Sequence, residues 1–378
     1  MDGPIHGAPA LETPVPLVDL DRFESNLDRM AAYARLHRLA LRPHAKTHKS
    51  PRVGAEQLRR GAVGLTCATL LEVEVMAEVA DSILLAYPPV GPSKLERLME
   101  LPAGLDLTVA LDSLTVAKRL AAAGREPGRT IGVLLELDLG LRRVGIAAIE
   151  DVLALARSVA GISGLEYRGI TFYPGHIRGP VSGHTAELDR LRTALQGVIG
   201  ALRRAGLEPK VVSGGSTPTA WRTHEIDDVT EMRPGTYVYN DRTTAQIGAC
   251  DWSDCALTVL ATVVSTAVPG QAVIDAGSKA LGREPAEGDG DGFGALLDRP
   301  EVTVQRLSEE HAVLALGKSD WRPAVGDLVR VVPNHACIVV HLHEVIYGIR
   351  GDRIDTSWPV LARGRRPVRP PAGQGSRV

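Results

Sequence analysis

Two domains are expected from this sequence: an α/β (β/α)8 barrel of the TIM type over residues 15–245, followed by a mostly antiparallel β domain over 246–364. Three observations predict this. Eight short apolar runs alternate with helix-patterned stretches, the pattern changes to period two after residue 245, and clusters of polar residues fall just past the ends of the apolar runs. Length agrees, because 378 residues exceed one ordinary core.

Residues 1–14 are rich in Pro and small side chains and can join the second domain. Val15–Leu20 then reads as a short strand handing over to a helix, with Asp21 as its cap. The eight barrel-strand candidates are Leu39–Leu41, Val63–Thr66, Ile83–Tyr87, Leu107–Leu111, Ile131–Leu137, Tyr167–Tyr173, Lys210–Ser213 and Val229–Met232. Between them Ser50–Arg60, Thr69–Val79, Ser93–Glu100, Ser113–Ala123, Ala147–Ala160 and Glu187–Ala205 carry apolar residues at three- and four-residue spacing, which predicts helices. A doubly wound open sheet competes with the barrel. No Gly-rich fingerprint follows the first strand, which favours the barrel.

From residue 246 the runs Ala256–Thr266, Gln271–Asp275, Val302–Leu307, Ala312–Leu316, Leu328–Val332, Ile338–Leu342 and Val345–Ile349 are separated by turn residues and predict strands. The tract Gly288–Gly294 has carboxylates spaced as in a calcium loop, but Phe293 stands where an oxygen is needed and the closing Glu is absent, so a mobile loop is expected. The Arg- and Pro-rich tail 365–378 is expected to be solvated and flexible.

Composition narrows the function. A net charge of −2 gives no field suited to nucleic acid or an anionic membrane, which makes a small molecule the expected partner. No run is long enough to span a bilayer, the start does not read as a signal peptide, and the four scattered cysteines suit a reducing compartment, so a cytoplasmic location is expected.

Lys46 lies just past the first barrel strand, Arg143 past the fifth, Tyr173 and His176 at and past the sixth, Ser213-Gly214-Gly215-Ser216-Thr217 past the seventh, and Arg233–Tyr237 past the eighth. In a barrel those ends converge on one mouth, and the loops after strands seven and eight commonly hold a phosphate. Two glycines and two hydroxyls suit Ser213–Thr217 to an anion. The basic loop of His44, Lys46, His48 and Lys49 reads either as an anion patch or as a reactive lysine whose cationic neighbours favour its neutral form.

Six motifs carry a family resemblance: Arg42–Lys49, Asp138–Gly145, Ser213–Pro218, Pro234–Tyr237, Asp275–Lys279 and Pro333–Cys337. From Thr13 to Gly364 the chain resembles the D-threonine aldolase and D-serine dehydratase family, pyridoxal phosphate enzymes of the alanine-racemase-like fold type. The resemblance implies that Lys46 carries pyridoxal 5'-phosphate, that Ser213–Thr217 and Tyr237 bind its phosphate, that Tyr173 lies near its ring and that Arg143 partners the pyridine nitrogen. It further implies His335 and Cys337 as a pair holding a divalent metal (Mn, Mg or Zn), and a homodimer. An H-x-C pair on a strand would project both side chains to one face, as shared ligation requires. His176 is the candidate general base.

A metal at that pair can assist either loss of the β-hydroxyl proton or departure of the hydroxyl. The expected activity is that of a D-3-hydroxy amino acid aldolase, giving glycine and an aldehyde. The alternatives are D-serine dehydratase or 3-hydroxy-D-aspartate aldolase or dehydratase. A non-catalytic pyridoxal phosphate carrier or a racemase fits less well, since such carriers lack the β domain and no tract matches the second-face tyrosine of racemases.

Overall fold

The computed structural model describes residues 11–125, 128–286 and 292–366. The first eight-stranded sheet is parallel throughout and contains β2 (Ala40–Leu41), β3 (Leu65–Cys67), β4 (Ser82–Leu85), β5 (Asp106–Leu111), β6 (Ile131–Leu137), β7 (Leu165–Phe172), β8 (Val211–Gly214) and β9 (Glu231–Met232). Neighbours run β2-β9-β8-β7-β6-β5-β4-β3. The ends meet through a parallel bridge between His44 and Thr66, with Thr66 N donating to Pro43 O at 2.8 Å and Val63 N to Leu41 O at 2.9 Å. The sheet therefore curls into the expected barrel, and the open-sheet alternative falls away.

Around it pack α1 (Leu20–Leu36), α2 (Pro51–Arg59), α3 (Leu70–Met76), α4 (Pro92–Met99), α5 (Leu114–Gly124), α6 (Ile149–Ala160) and α7 (Thr185–Arg204). The apolar stripes of α3 to α7 bury with the barrel strands, whereas that of α1 packs in the cluster formed with the second sheet. On α6, Val152, Leu155, Ala156 and Val159 are buried at i, i+3, i+4 and i+7. The cap of α1 is Asp19, whose Oδ1 accepts from Arg22 N at 3.0 Å; Asp21 sits in the first turn instead.

The second sheet has nine strands: β1 (Val15–Asp19), β10 (Leu257–Ser265), β11 (Gln271–Ile274), β12 (Gly294–Leu296), β13 (Thr303–Leu307), β14 (Ala312–Ala315), β15 (Leu328–Pro333), β16 (Val345–Arg350) and β17 (Arg353–Pro359). All pairings are antiparallel except β1 with β16. The strand that opens the described chain thus lies in this sheet, and α1 passes from it to the barrel. Three short helices complete the chain: α8 (Arg242–Gln246), α9 (Ser278–Leu281) and α10 (Ala336–Leu342).

The sequence misleads at α10, where a strand over Ile338–Leu342 is expected. Ala336, Val339 and Val340 are all buried, an i, i+3, i+4 set, and Ala336 N donates to Asp241 Oδ2 at 3.0 Å to start the helix. Strands β12 and β17 are absent from the expectation, one because it is very short and the other because its exposed face is polar. The candidate loop at 288–291 and the tail from 367 lie outside the described residues.

Candidate active site

The barrel mouth holds a cleft of about 610 Å3 open to solvent. Lys46, Arg143, Tyr173, Gly215, Ser216 and Thr217 line it together with His44, Glu136, Arg233 and Thr236. A larger adjoining cleft shares the wall of Tyr173, Ser216, Pro218 and Thr236 and is bounded by Asp241, Glu284 and His335.

Lys46 sits in the 3-10 turn Ala45–Thr47 that follows β2. His44 Nδ1 accepts from Lys46 N at 3.5 Å, His44 N donates to Pro234 O at 3.0 Å, and Lys49 closes the turn with φ 50°. The cationic neighbours expected at His44, His48 and Lys49 are not there. Burial drives the His44 imidazole well below its usual pKa, and burial lowers His48 to about 3, so both rings are neutral. Lys49 Nζ turns away into an ion pair with the fully buried Glu72.

The ring of Tyr173 has Lys46 Nζ and Arg143 Cζ each 5.3 Å from its centroid. Its seat requires a glycine, since a Cβ at Gly175 would lie 2.2 Å from the ring. Arg143 is carried on a loop folded around Asp138, whose Oδ1 accepts from Gly140 N at 3.0 Å and Arg142 N at 2.9 Å.

In the Ser213–Thr217 loop, Gly214 faces the Phe172 ring, 2.3 Å from where a Cβ would be, and Gly215 has φ +98°. Ser216 and Thr217 are buried hydroxyls at the cleft wall. Ser213 is turned the other way: its Oγ donates to Glu231 inside the barrel at 2.6 Å. Tyr237 is buried with its hydroxyl accepting from Gln57 Nε2 at 3.1 Å and does not line the mouth cleft; its backbone N donates to Thr217 Oγ1 at 3.2 Å. The Ser213 and Tyr237 hydroxyls thus point to Glu231 and Gln57, while Gly215, Ser216 and Thr217 of the expected phosphate loop line the cleft. His176 also lines neither cleft; its ring packs over Gly140 and its Nδ1 is buried without a protein partner.

Glu136 has no place among the expected site residues, and Arg233, expected at the mouth within Arg233–Tyr237, has no role of its own there. Arg233 is buried, its Nη2 donates to Phe172 O at 2.8 Å, and its Nε has no protein partner, so an acceptor in the cleft would satisfy it. Burial lowers the pKa of this guanidinium, against the opposing pull of Glu136 and Glu231, and burial raises that of Glu136. Arg233 carried a signal as the first residue after the eighth strand. Glu136 carried none.

Cys337 approaches the lysine turn from the second domain, its Sγ 3.2 Å from Thr47 Oγ1 and 3.7 Å from Thr236 Oγ1. The H-x-C pair is not on a strand: His335 is the N-cap residue of α10 and Cys337 lies in its first turn. The two side chains are nonetheless close enough that each shifts the titration of the other. Burial alone would raise the Cys337 thiol, but His335, Lys46 and Thr47 together hold it below the usual thiol range. Burial alone would lower His335, and Cys337 and Glu284 outweigh it to raise the imidazole. His335 Nδ1 bonds Glu284, which orients the ring and leaves Nε2 as a ligand atom. Among the described residues no set of three or more His, Cys, Asp or Glu side chains converges to hold an ion. An ion at His335 and Cys337 would fill its remaining positions from water or substrate.

The alanine racemase N-terminal domain family matches residues 18–243, and the serine dehydratase domain family matches 256–349. The 3-hydroxy-D-aspartate aldolase of Paracoccus denitrificans is 31% identical, over 94% of this chain and 93% of its own. The chain belongs to the D-threonine aldolase and D-serine dehydratase family. Other members are the D-threo-3-hydroxyaspartate dehydratase of Delftia, 35% identical over 93% of this chain and 97% of its own, and the D-threonine aldolase of Filomicrobium marinum, whose structure superposes with a TM-score of 0.87 at 32% identity over 93% and 95% of the two chains. The members are lyases, and the family depends on pyridoxal phosphate. The mouth cleft fits that cofactor: an amine at Lys46, buried hydroxyls beside a glycine of positive φ, and the unpartnered Arg233 Nε answer its aldehyde, phosphate and ring acceptors.

Proposed function

We propose that this protein is a pyridoxal phosphate- and divalent-metal-dependent D-3-hydroxy amino acid aldolase of the D-threonine type. One observation carries the reading: Lys46 and His335 line adjoining clefts that share a wall, and Cys337, two residues from His335, sets its Sγ against Thr47 beside the lysine. A substrate with an α-amine and a β-hydroxyl presents one group to each.

Lys46, Gly215, Ser216, Thr217 and Arg233 would hold the cofactor, with Tyr173 against its ring. Bound there, pyridoxal phosphate supplies a sink for the electron pair released at Cα. His335 and Cys337 would hold the metal, a Lewis acid beside the β-hydroxyl. There the hydroxyl proton would pass to water in the solvent-open cleft, scission of Cα–Cβ would release an aldehyde, and the Lys46 ammonium would return a proton at Cα to give glycine. The lowered pKa of the Cys337 thiol favours the deprotonated form that such a site requires, and His335 would ligate through Nε2 once a cation replaces its proton.

A dehydratase outcome is the second reading, in which Lys46 takes the Cα proton and the hydroxyl leaves as water. The Delftia dehydratase favours it, since the solved structures of that protein include a histidine-to-alanine variant and, two positions on, a cysteine-to-alanine variant in the metal-free form. Incubation with D-threonine, D-serine and 3-hydroxy-D-aspartate, assayed separately for glycine with aldehyde and for keto acid with ammonia, decides between them. Ammonia and keto acid alone would overturn the aldolase reading.

A further inference from the structure

The barrel interior is not filled by branched apolar side chains alone. Glu231 on β9 is buried, and its carboxylate accepts from Ser213 Oγ at 2.6 Å and from Arg42 Nε at 2.7 Å. Its Cα is in register with Ser213 on β8 and with Ala40 on β2. From Arg42 the chain of contacts continues downward: Arg42 Nη1 to Ser82 Oγ at 3.0 Å, Ser82 Oγ to Asp106 at 2.9 Å, and Asp106 to Arg168 at 2.7 Å. Room for the Arg42 guanidinium is made by Gly64, where a Cβ would lie 2.3 Å from Nη1.

Both bonds of Glu231 lead to walls of the mouth cleft. Arg42 immediately precedes Pro43-His44-Ala45-Lys46, Ser213 opens the Gly214–Thr217 loop, and Glu231 itself leads into Arg233, Gly235 and Thr236. We infer that Glu231 is a positioning residue for the cofactor: one buried carboxylate fixes the relative heights of the three loops that would hold pyridoxal phosphate. The inference rests on the assignment of Lys46 under the proposed function. Charge is essential to it, because Arg42 faces this carboxylate across the 2.7 Å bond. A glutamine could turn its oxygen to Arg42 and donate its N–H to the Ser213 hydroxyl, which can accept, so both contacts would persist but Arg42 would lose its counter-charge and the bonds their charge assistance. Charge-assisted bonds of this kind are also shorter and stronger than neutral ones.

The test compares wild type, Glu231→Gln and Arg168→Gln, each freed of cofactor and titrated with pyridoxal phosphate, reading the dissociation constant from the visible absorption band and the unfolding temperature from circular dichroism. Arg168→Gln breaks the same network at its far end. Both variants are expected to unfold at lower temperature, but only Glu231→Gln raises the dissociation constant, by at least about tenfold, the gap between a charge-assisted bond kept and lost. A constant within about twofold of wild type for Glu231→Gln, or an equal rise for Arg168→Gln, overturns the inference. Should Glu231→Gln not fold, Ser213→Ala removes one of the two bonds; a rise of about threefold or more is then expected, and an unchanged constant overturns the inference. Wild type that takes up no pyridoxal phosphate refutes the proposed function and this inference with it, whereas uptake unaffected by Glu231→Gln refutes the inference alone.

Discussion

Replacing Glu72 by leucine tests what holds the Lys46 turn in place. Glu72 on α3 has no exposure; its carboxylate takes the Lys49 ammonium and accepts from Ala68 N at 2.6 Å. Lys49 is itself buried and ends the Lys46 turn. Glu72→Leu leaves that ammonium without a counter-charge, which costs about 3–5 kcal/mol in buried pairs. For 378 residues the unfolding entropy is about 0.8 kcal/mol/K, so the midpoint should fall by about 4–6 °C. Lys49→Met combined with Glu72→Leu removes both charges and should recover most of the loss, because well-packed apolar replacements of a buried pair are near neutral. Calorimetry on the cofactor-free protein at pH 7.5 reads both. A fall under about 1 °C for Glu72→Leu, or a double variant as unstable as the two singles summed, would show that the pair does not pin the turn.

Acid should destabilise the protein through His44 and His48. Both rings have folded pKa values below the unfolded value of 6.5, with His48 at about 3, so the unfolded state alone takes up protons as pH falls through that window, and stability declines below about pH 6.5 and is level above it. For His48 the loss between pH 7.5 and 5.5 is about 1.4 kcal/mol, measurable as a shift in urea midpoint; equal midpoints at the two pH values would contradict the neutral assignment. Gly214→Ala places a Cβ 2.3 Å from the Phe172 ring and should cost roughly 1–3 kcal/mol while weakening pyridoxal phosphate uptake, checked by paired thermal and absorbance titrations. Purified protein should be yellow, and Lys46→Ala should abolish the absorption band. Activity should vanish in chelator and return with a divalent ion, with Cys337→Ala lowering affinity for that ion in calorimetric titration.

Much of the architecture is legible in the sequence because parallel strands buried on both faces leave continuous apolar runs, and the helices between them repeat every three to four residues. All eight barrel strands fall within a few residues of their expected places, and the mouth cleft gathers Lys46, Arg143, Tyr173 and Gly215–Thr217 from four separate loops. The errors fall where backbone pattern is silent about direction. Ile338–Leu342 is β-branched and apolar, yet a carboxylate on Asp241 starts a helix there. Nor does that pattern say that the Ser213 and Tyr237 hydroxyls bond Glu231 and Gln57.

The sequence by itself determined which residue types stand at the mouth, since strand ends of a closed parallel barrel must converge whatever their side chains do. Only the tertiary structure decided which way those side chains turn and what charge they carry. Burial neutralised His44 and His48, Glu72 withdrew Lys49, and Glu284, which belongs to none of the expected motifs, took His335 Nδ1. Those outcomes depend on desolvation and on partners tens to hundreds of residues away, and neither is encoded in local spacing.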